Sequence, residues 1–158
     1  MAKIDEMFMK EAIRQAQKAA EADEVPIGAI IVHENKIIAR SHNQVETLKD
    51  PTAHAEMIAI TQATSFLGAK WLQECTLYVT IEPCSMCAGA LVLARLGRLC
   101  YGAPEPKTGA CGSLFNIAQH EKLNHCVNVS GGILETECGA MLSAFFEKKR
   151  REKAAQDN

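Results

Sequence analysis

The alternation of strand-like apolar runs with amphipathic helical runs is the feature that most limits what this chain can fold into. GAIIVH (28–33) and KIIARSH (36–42) are β-branched runs separated only by Glu34-Asn35, which predicts a β-hairpin. The remaining periodic segments predict strands at 76–81, at 98–102 and within 125–132, and helices at 3–21, 52–66, 84–95 and 134–152. Strands that alternate with helices after an initial hairpin form a mixed sheet covered on both faces. We therefore expect a three-layer α/β/α fold around a mixed five-stranded sheet.

Each predicted helix carries a more detailed expectation. The first should bury one apolar side, which comprises Ile4, Met7, Phe8, Ala12, Ala16 and Ala19. The second should begin at Thr52 as its N-cap, after a loop over 43–51, because Pro51 keeps Asp50 out of the helical region. Pro83 suits the opening of the third helix. The last should bury Leu134, Met141, Leu142 and Phe145, and in part Phe146, before it ends in KKRREK.

Length and composition describe an ordinary globular chain. The 158 residues contain no repeat, low-complexity tract or Pro/Gly linker, so we expect a single domain over 1–158. A net charge of −2 and a pI near 6.2 mean that any nucleic acid would bind locally, not through bulk charge. No unbroken apolar run resembles a signal peptide or a membrane span. A cytoplasmic setting without membrane contact is therefore expected.

Seven cysteines, an odd number, argue against a disulfide framework in a chain without an export signal. Cys75, Cys100 and Cys126 lie in apolar, strand-like runs, which favours small buried residues. Cys84 and Cys87 are different, because a spacing of three near a helix start projects both sulfurs from one side. The helix dipole there favours thiolates, the form that binds a metal. Taken alone, this Cys-x-x-Cys pair could equally be a redox pair or part of a structural metal site.

His54 and Glu56 indicate which chemistry the cysteine pair could take part in. His54 also lies near a predicted helix start, and adjacent strand–loop–helix units bring such starts to the same edge of a sheet. One imidazole and two thiolates suit Zn²⁺ and leave a fourth position for water, whose proton Glu56 could take and redeliver. A lone His-x-Glu is more often a surface or satisfied core pair. Together, however, the residues match the H-x-E…P-C-x-x-C signature of zinc deaminases.

Beyond this signature, the sequence resembles the bacterial tRNA-specific adenosine deaminases of the cytidine deaminase superfamily over almost its whole length. The segments that carry the resemblance are VPIGAIIV, HN (42–43), DPTAHAE, LYVTIEPCSMCAGAL, KTGACGS, LNH, GIL and FF…R. The resemblance implies a cytidine deaminase-like fold and a homodimer with one Zn²⁺ per subunit. It also implies hydrolytic deamination of adenosine to inosine at the tRNA wobble position. In this interpretation His54, Cys84 and Cys87 bind zinc, and Glu56 is catalytic.

The resemblance also assigns substrate contacts. Asn43, the backbone N–H of Ala55 and the face of Ile27 would hold the flipped base. Six further residues would contact the anticodon stem-loop: Glu105, Lys107, Asn124, Phe145, Phe146 and Arg150. Each has an ordinary alternative, because the two phenylalanines could be the core face and rim of the last helix, and KKRREK a solvated helix end. Glu105 departs from the aspartate typical of the family and is flanked by Pro104 and Pro106, which stiffen the loop.

Two other functions compete with tRNA editing. The same zinc centre could deaminate a free nucleobase such as guanine or cytosine, and the acidic pI mildly favours that alternative. The basic C-terminal helix and the KTG segment favour tRNA. A non-catalytic RNA-binding or zinc-structural module would leave Glu56 unexplained. No task is expected for His42 or His120, and the role of His125 is open.

Overall fold

The computed structural model describes residues 2–157. Its elements, in chain order, are α1 Ala2–Glu21, β1 Gly28–His33, β2 Lys36–His42, α2 Val45–Leu48, α3 Ala55–Leu67, β3 Cys75–Ile81, α4 Ser85–Leu93, β4 Arg98–Ala103, β5 Asn128–Ser130 and α5 Glu135–Gln156. The strands form one sheet in the order β2-β1-β3-β4-β5. β1 pairs antiparallel with β2 and β3, whereas β3, β4 and β5 are parallel. The predicted mixed five-stranded sheet is confirmed.

The side chains of each strand alternate between two apolar cores, one on each face of the sheet. Along β1, Ala29 and Ile31 face a core shared with α3 and α4. Ile30 and Val32 face the other core, to which α1 and α5 contribute. A strand that is apolar on both faces must be covered on both faces. The three-layer α/β/α architecture is therefore confirmed, and it follows from the continuous apolar character of β1 and β3.

The hairpin between β1 and β2 turns at the predicted dipeptide. Glu34 and Asn35 have φ values of 50° and 61°, and His33 pairs with Lys36. Positive φ at both central residues is the type I′ geometry, whose twist matches that of the flanking strands. Asn35 adopts this region readily, whereas Glu34 does so at some cost.

Helix α1 lies close to the start of β1, and a glycine makes this possible. A Cβ atom on Gly28 would lie 2.1 Å from the carbonyl oxygen of Ala12 and 2.3 Å from the nitrogen of Ala16. The N–H of Gly28 donates to Thr80 Oγ1 at 3.2 Å. Any larger residue at 28 would push α1 away from the sheet.

The sheet topology gathers three strand ends at one edge. β2, β3 and β4 all run in the same direction, because β1 is antiparallel to both of its neighbours. Their last residues, His42, Ile81 and Ala103, therefore lie at the edge where β1 begins, and Gly28 pairs with His42 there. Helix α4 starts from this edge directly after β3, and α3 starts there after a longer connection that contains α2. It is the edge at which α/β proteins place their sites.

The buried face of α1 is confirmed for four of the six predicted residues, but it differs in the first two turns. Ile4 and Met7 are 49% and 55% exposed, whereas Met9 and Asp5 are buried. The Asp5 carboxylate accepts hydrogen bonds from the Tyr78 hydroxyl and, at both oxygens, from Arg98. This polar contact rotates the first turn away from the face that apolar periodicity indicates.

The beginning of α3 also corrects the prediction. Thr52 is not the N-cap, because its N–H and hydroxyl both donate to Asp50 Oδ1, at 2.8 and 2.7 Å. Such a local turn competes with helix, so the N-cap lies two residues later, at His54, and α3 starts at Ala55. The predicted loop over 43–51 contains the single-turn helix α2, whose first amide groups donate to the distant Glu24 carboxylate.

Helix α5 covers less of the sheet than predicted. Of its described residues, Cys138 is buried, whereas Leu134 at its cap and Met141, Leu142 and Phe145 along it are half-buried and Phe146 is 43% exposed. The helix continues to Gln156, well beyond the predicted end. Because β4 and the short β5 offer a narrow face, much of α5 is left for other contacts.

Cysteine burial matches the prediction at two of three positions. Cys75 and Cys100 are buried, but Cys126 is exposed because β5 begins only at Asn128. Among residues 2–157, no helix combines the length and apolar character needed to cross a membrane.

Candidate metal centre and active site

The structure brings His54, Cys84 and Cys87 together at the edge where β2 and β3 end. His54 caps α3, Cys84 caps α4, and Cys87 lies in the first turn of α4. The Nδ1 atom of His54 is 3.6 Å from the Sγ atom of each cysteine. One ligand atom from each residue lies within 4.8 Å of the others. Two helix starts thus present one nitrogen and two sulfurs to a common point.

These separations fit a tetrahedral metal ion. Zinc bonds of about 2.3 Å to sulfur and about 2.0–2.1 Å to nitrogen place the two ligand atoms about 3.6 Å apart at a tetrahedral angle. The cluster shows that spacing at both sulfur–nitrogen pairs. A set of three protein ligands, two soft and one borderline, is also the set expected for a zinc site with an open position. The residues therefore fit the metal that the sequence predicts.

The electrostatics of the cluster favour a thiolate even before a metal binds. The hydrogen bond from Cys87, together with His54, lowers the pKa of the Cys84 thiol to about 3 against the opposing effect of burial. The same sulfur–sulfur hydrogen bond and burial raise the pKa of Cys87. The Cys84 contact raises the pKa of His54, although burial opposes it. The three groups thus share protons that a metal would displace.

Glu56 lies in the first turn of α3, beside this cluster. It is 3% exposed, and within residues 2–157 its Oε1 atom is the buried side-chain oxygen or nitrogen that has no hydrogen-bond partner. Burial raises the pKa of its carboxyl group, although the nearby His54 opposes this effect. A buried oxygen without a partner is costly, so a fold that keeps one has a use for it.

The predicted base-binding residues lie at the same edge of the sheet as the cluster. Asn43 follows β2 directly and is 6% exposed, and its backbone N–H donates to the carbonyl of Ile27 at 3.0 Å. Ala55 is the first residue of α3, where backbone N–H groups lack helical acceptors. The Ser41 hydroxyl donates to the Ala55 carbonyl at 2.6 Å, which fixes this helix start to β2.

The six predicted RNA contacts divide among three surfaces. Four of them line one open groove of about 490 Å³: Glu105, Lys107, Phe146 and Arg150. Phe145 lines a neighbouring groove of about 510 Å³ with Lys49 and Lys149. Asn124 lies apart from both, in a cleft with Trp71 and Arg95. The structure thus brings together four of the six, and α5 presents its adjacent phenylalanines to two different grooves.

Two buried glutamates near the site were not predicted. Glu24 accepts hydrogen bonds from the amides of Glu46 and Thr47, which fixes the segment that follows Asn43. Glu82, two residues before Cys84, accepts hydrogen bonds from residues 105, 111 and 113. Their partners are more than 20 residues away, so no local pattern in the sequence indicates them. The acidic residue directly before Pro83-Cys84 was the one available hint.

A three-layer sandwich that places His, two Cys and a buried Glu at its helix starts is the arrangement of a nucleobase deaminase. Residues 4–150 match the model of the MafB19-like deaminase family. The chain is 53% identical over 155 residues to a tRNA-specific adenosine deaminase of Bacillus subtilis, and the match covers 98% of this chain and 96% of that protein. The chain therefore belongs to the tRNA-specific adenosine deaminases of the deaminase superfamily.

Solved structures agree with this assignment. A structure from a study of A-to-I editing by tRNA:A34 deaminases superposes with a TM-score of 0.82 at 44% identity, covering 85% of this chain and 98% of that one. The structure of a guanine deaminase from Bacillus subtilis also matches at 44% identity, with a TM-score of 0.60. That match covers 63% of this chain and 64% of the guanine deaminase chain. The predicted deaminase fold is thus confirmed.

Proposed function

We propose that the protein hydrolyses adenosine to inosine at the wobble position of a tRNA anticodon and releases ammonia. The observation that carries this proposal is the cluster of His54, Cys84 and Cys87 beside Oε1 of Glu56, an atom without a hydrogen-bond partner among the described residues 2–157. The near full-length relatedness to tRNA-specific adenosine deaminases supports the choice of substrate. Water and adenosine give inosine and ammonia, so no further co-substrate is needed.

His54, Cys84 and Cys87 would hold one Zn²⁺ per chain. When bound, zinc supplies an activated water for attack on the purine carbon that carries the amino group. The chain contributes the ligand geometry through two helix starts, which fixes the three side chains before any metal arrives. A fourth cysteine or histidine is missing from the cluster in the described part of the chain, so one coordination position is left for solvent.

Glu56 would be the proton carrier. Burial raises the pKa of its carboxyl group, and a carboxyl group with a raised pKa is suited to taking up a proton and releasing it again. Oε1, which lacks a partner in residues 2–157, is the atom that would take the water proton. The same atom would deliver a proton to the base, so that the amino group can leave as ammonia.

Asn43, Ala55 and Ile27 would recognise the adenine base. A carboxamide both donates and accepts, which suits a purine edge that carries both kinds of group. The N–H of Ala55 supplies a further donor, because the first N–H groups of a helix have no acceptor within the helix. Ile27 is half-buried and packs against both cores, so it can offer a rigid apolar face to the base.

The anticodon loop would lie along the groove of Glu105, Lys107, Phe146 and Arg150. An aromatic ring with two cations is a common means of holding unstacked bases and their phosphates. Phe145 and Asn124 would contact other nucleotides, since they lie on separate surfaces. The backbone N–H of Lys107 donates to Glu105 Oε1 at 3.0 Å, so Glu105 also shapes the loop between its flanking prolines.

We further infer a single domain over 1–158 that works as a homodimer in the cytoplasm. Phe66, Trp71 and Leu93 are 69%, 45% and 81% exposed, and they supply apolar surface that a second subunit would cover.

A free-nucleobase deaminase is the second candidate. The zinc-site motif does not select the substrate, so it fits this candidate as well. The partial structural match to a guanine deaminase is the observation that favours it. The lower TM-score and shorter coverage of that match favour tRNA.

The substrate test uses the purified zinc-loaded protein. An arginine tRNA with an ACG anticodon, free guanine and free cytosine are incubated separately, and inosine and ammonia are measured. We expect inosine at the wobble position and neither free base consumed. Turnover of guanine or cytosine with an unchanged tRNA would replace the proposal with the second candidate.

A further inference from the structure

Glu82 is a buried carboxylate that belongs neither to the cluster of His54, Cys84 and Cys87 nor to the proposed base-binding residues. It is 3% exposed and follows β3 directly. Its Oε1 atom accepts from the N–H of Glu105 at 3.1 Å and from the Ser113 hydroxyl. Its Oε2 atom accepts from the N–H groups of Cys111 and Ser113, at 3.0 and 3.1 Å. Four donors thus converge on one carboxylate, which matches the roughly four lone-pair sites that an ionised carboxylate offers.

All four donors come from residues 104–113, which we call the KTG loop. Other contacts hold the same loop against the metal-binding turn. Gly109 forms a β-bridge with Cys84, and the N–H of Ala110 donates to the carbonyl of Pro83 at 2.9 Å. A Cβ atom on Gly109 would lie 2.5 Å from the Glu82 carboxylate. The KTG loop therefore packs directly on Glu82, with glycine at the closest point.

The KTG loop joins two parts of the site that are otherwise separate. One end carries Glu105 and Lys107, which line the groove proposed for the anticodon loop. The middle of the loop touches Pro83 and Cys84, at the start of α4. Glu82 contacts both ends of the loop, at residues 105 and 113, so its carboxylate fixes the distance between the groove and the cysteine turn.

We propose that Glu82 is a positioning residue for RNA recognition: it holds the KTG loop in register with the metal-binding turn, and so aligns the anticodon groove with the reacting base. This inference rests on the proposed function. It predicts that loss of the carboxylate weakens productive RNA binding more than it slows the chemical step, because the zinc ligands and Glu56 belong to α3 and α4 and not to the loop.

The test compares steady-state kinetics of two independent variants on an anticodon stem-loop. Glu82→Gln keeps the size of the side chain but turns one acceptor into a donor that faces N–H groups. Gly109→Ala leaves the carboxylate intact and displaces the loop by contact. For both variants we expect KM to rise roughly tenfold, with a smaller change in kcat and an unchanged zinc content. Glu121→Gln, an exposed glutamate remote from these contacts, is the matched control and should behave like the wild type.

Amide hydrogen exchange provides a readout that does not need activity. The N–H groups of residues 105, 111 and 113 should be protected in the wild type and exchange faster in Glu82→Gln. A merely structural role would instead reduce zinc content and the active fraction while KM stays unchanged, and that result would overturn the proposal. Unchanged KM with unchanged exchange would also overturn it. If the wild type leaves the stem-loop untouched, the proposed function fails, and exchange alone then decides whether Glu82 holds the loop.

Discussion

At the scale of single residues, two buried glutamates in similar surroundings have opposite hydrogen-bonding states. The Glu82 carboxylate accepts four hydrogen bonds, whereas one carboxylate oxygen of Glu56 has no hydrogen-bond partner in the described part of the chain. A carboxylate whose oxygens all accept hydrogen bonds is held in place. A carboxylate with an unpaired oxygen beside a set of metal-ligating side chains can still exchange a proton. The difference in partners therefore supports a structural role for Glu82 and the proposed role of Glu56 as proton carrier.

The role proposed for Glu56 predicts that its substitution abolishes activity without affecting metal binding. Glu56→Ala should lower kcat by at least about 10²-fold, because the proton carrier is lost, while zinc content stays at the wild-type level. Glu56→Gln should behave alike, since it keeps the shape but cannot take a proton. Deamination rates and elemental analysis of the same preparations measure both quantities. Cys87→Ala is the contrasting variant and should lose zinc. Loss of zinc from Glu56→Ala would show that Glu56 is a ligand instead.

At the scale of elements, the periodicity of the sequence predicts most of the fold, and its exceptions have physical causes. The strands and helices follow from apolar repeats, and the meeting of His54 with the two cysteines follows from strand–loop–helix units that end at one edge. The rotation of α1 could not be predicted, because it depends on Asp5 reaching Arg98 and Tyr78, which lie more than 70 residues away. The short α2 depends in the same way on Glu24.

The arrangement of the six predicted RNA contacts could not be predicted from the sequence either. The sequence resemblance names the RNA contacts, but it does not show that four of them share a groove while Phe145 and Asn124 lie elsewhere. That division depends on the direction in which each residue of α5 points and on the packing of the KTG loop. Neither is encoded in a local pattern. The late start of α3, in contrast, could have been found, since Asp50 with Thr52 is a recognised turn pair.

The polar contact that anchors α1 predicts a pH-dependent stability. The hydrogen bonds from Arg98 outweigh burial and lower the pKa of Asp5 below its ordinary value of 3.8. The stabilisation is therefore fully present above pH 3.8 and is lost as the pH falls from there through the lower pKa of the folded state. Asp5→Asn should reduce the free energy of unfolding by about 2 kcal/mol at pH 7. Urea unfolding of both proteins at a series of pH values from 7 down to 3 measures this free energy.

The difference in the free energy of unfolding between wild type and Asp5→Asn should shrink as the pH falls below 3.8. Asp5 of the unfolded wild type takes up a proton there, and Asp5 of the folded wild type follows only at its lower pKa. Glu6→Gln, a neighbouring exposed residue, is the control and should change stability little at any pH. A difference that stays constant to the lowest pH would mean that the Asp5 charge does not anchor the helix.

The groove on α5 predicts a graded response to salt. Affinity for an anticodon stem-loop should fall with rising salt, and Arg150→Ala should reduce the slope of log K against log salt by about 0.7, the value for one phosphate contact on a single strand. Arg151→Ala is the matched control, because Arg151 is exposed on the same helix but does not line the groove. Fluorescence anisotropy over a salt series measures both. Equal slopes for wild type and Arg150→Ala would remove Arg150 from the interface.

At the scale of the whole molecule, the sheet order explains how distant segments form one site. Parallel β3 and β4, with β2 running the same way, deliver Asn43, Glu82 and the KTG loop to one edge, and α3 and α4 start there. Two apolar cores hold the layers, so the edge is left free for chemistry. A net charge of −2 leaves RNA binding to local cations, such as those along the groove.

The most direct test of the account is the coordination of the bound metal. X-ray absorption on the purified protein should show one zinc per chain with two sulfur ligands at about 2.3 Å, one nitrogen at about 2.0–2.1 Å and one further light atom. Cys111→Ala should leave the sulfur count at two, because Cys111 lies near the cluster without belonging to it. Absence of a tightly bound metal, or a fourth protein ligand that closes the shell, would contradict the account.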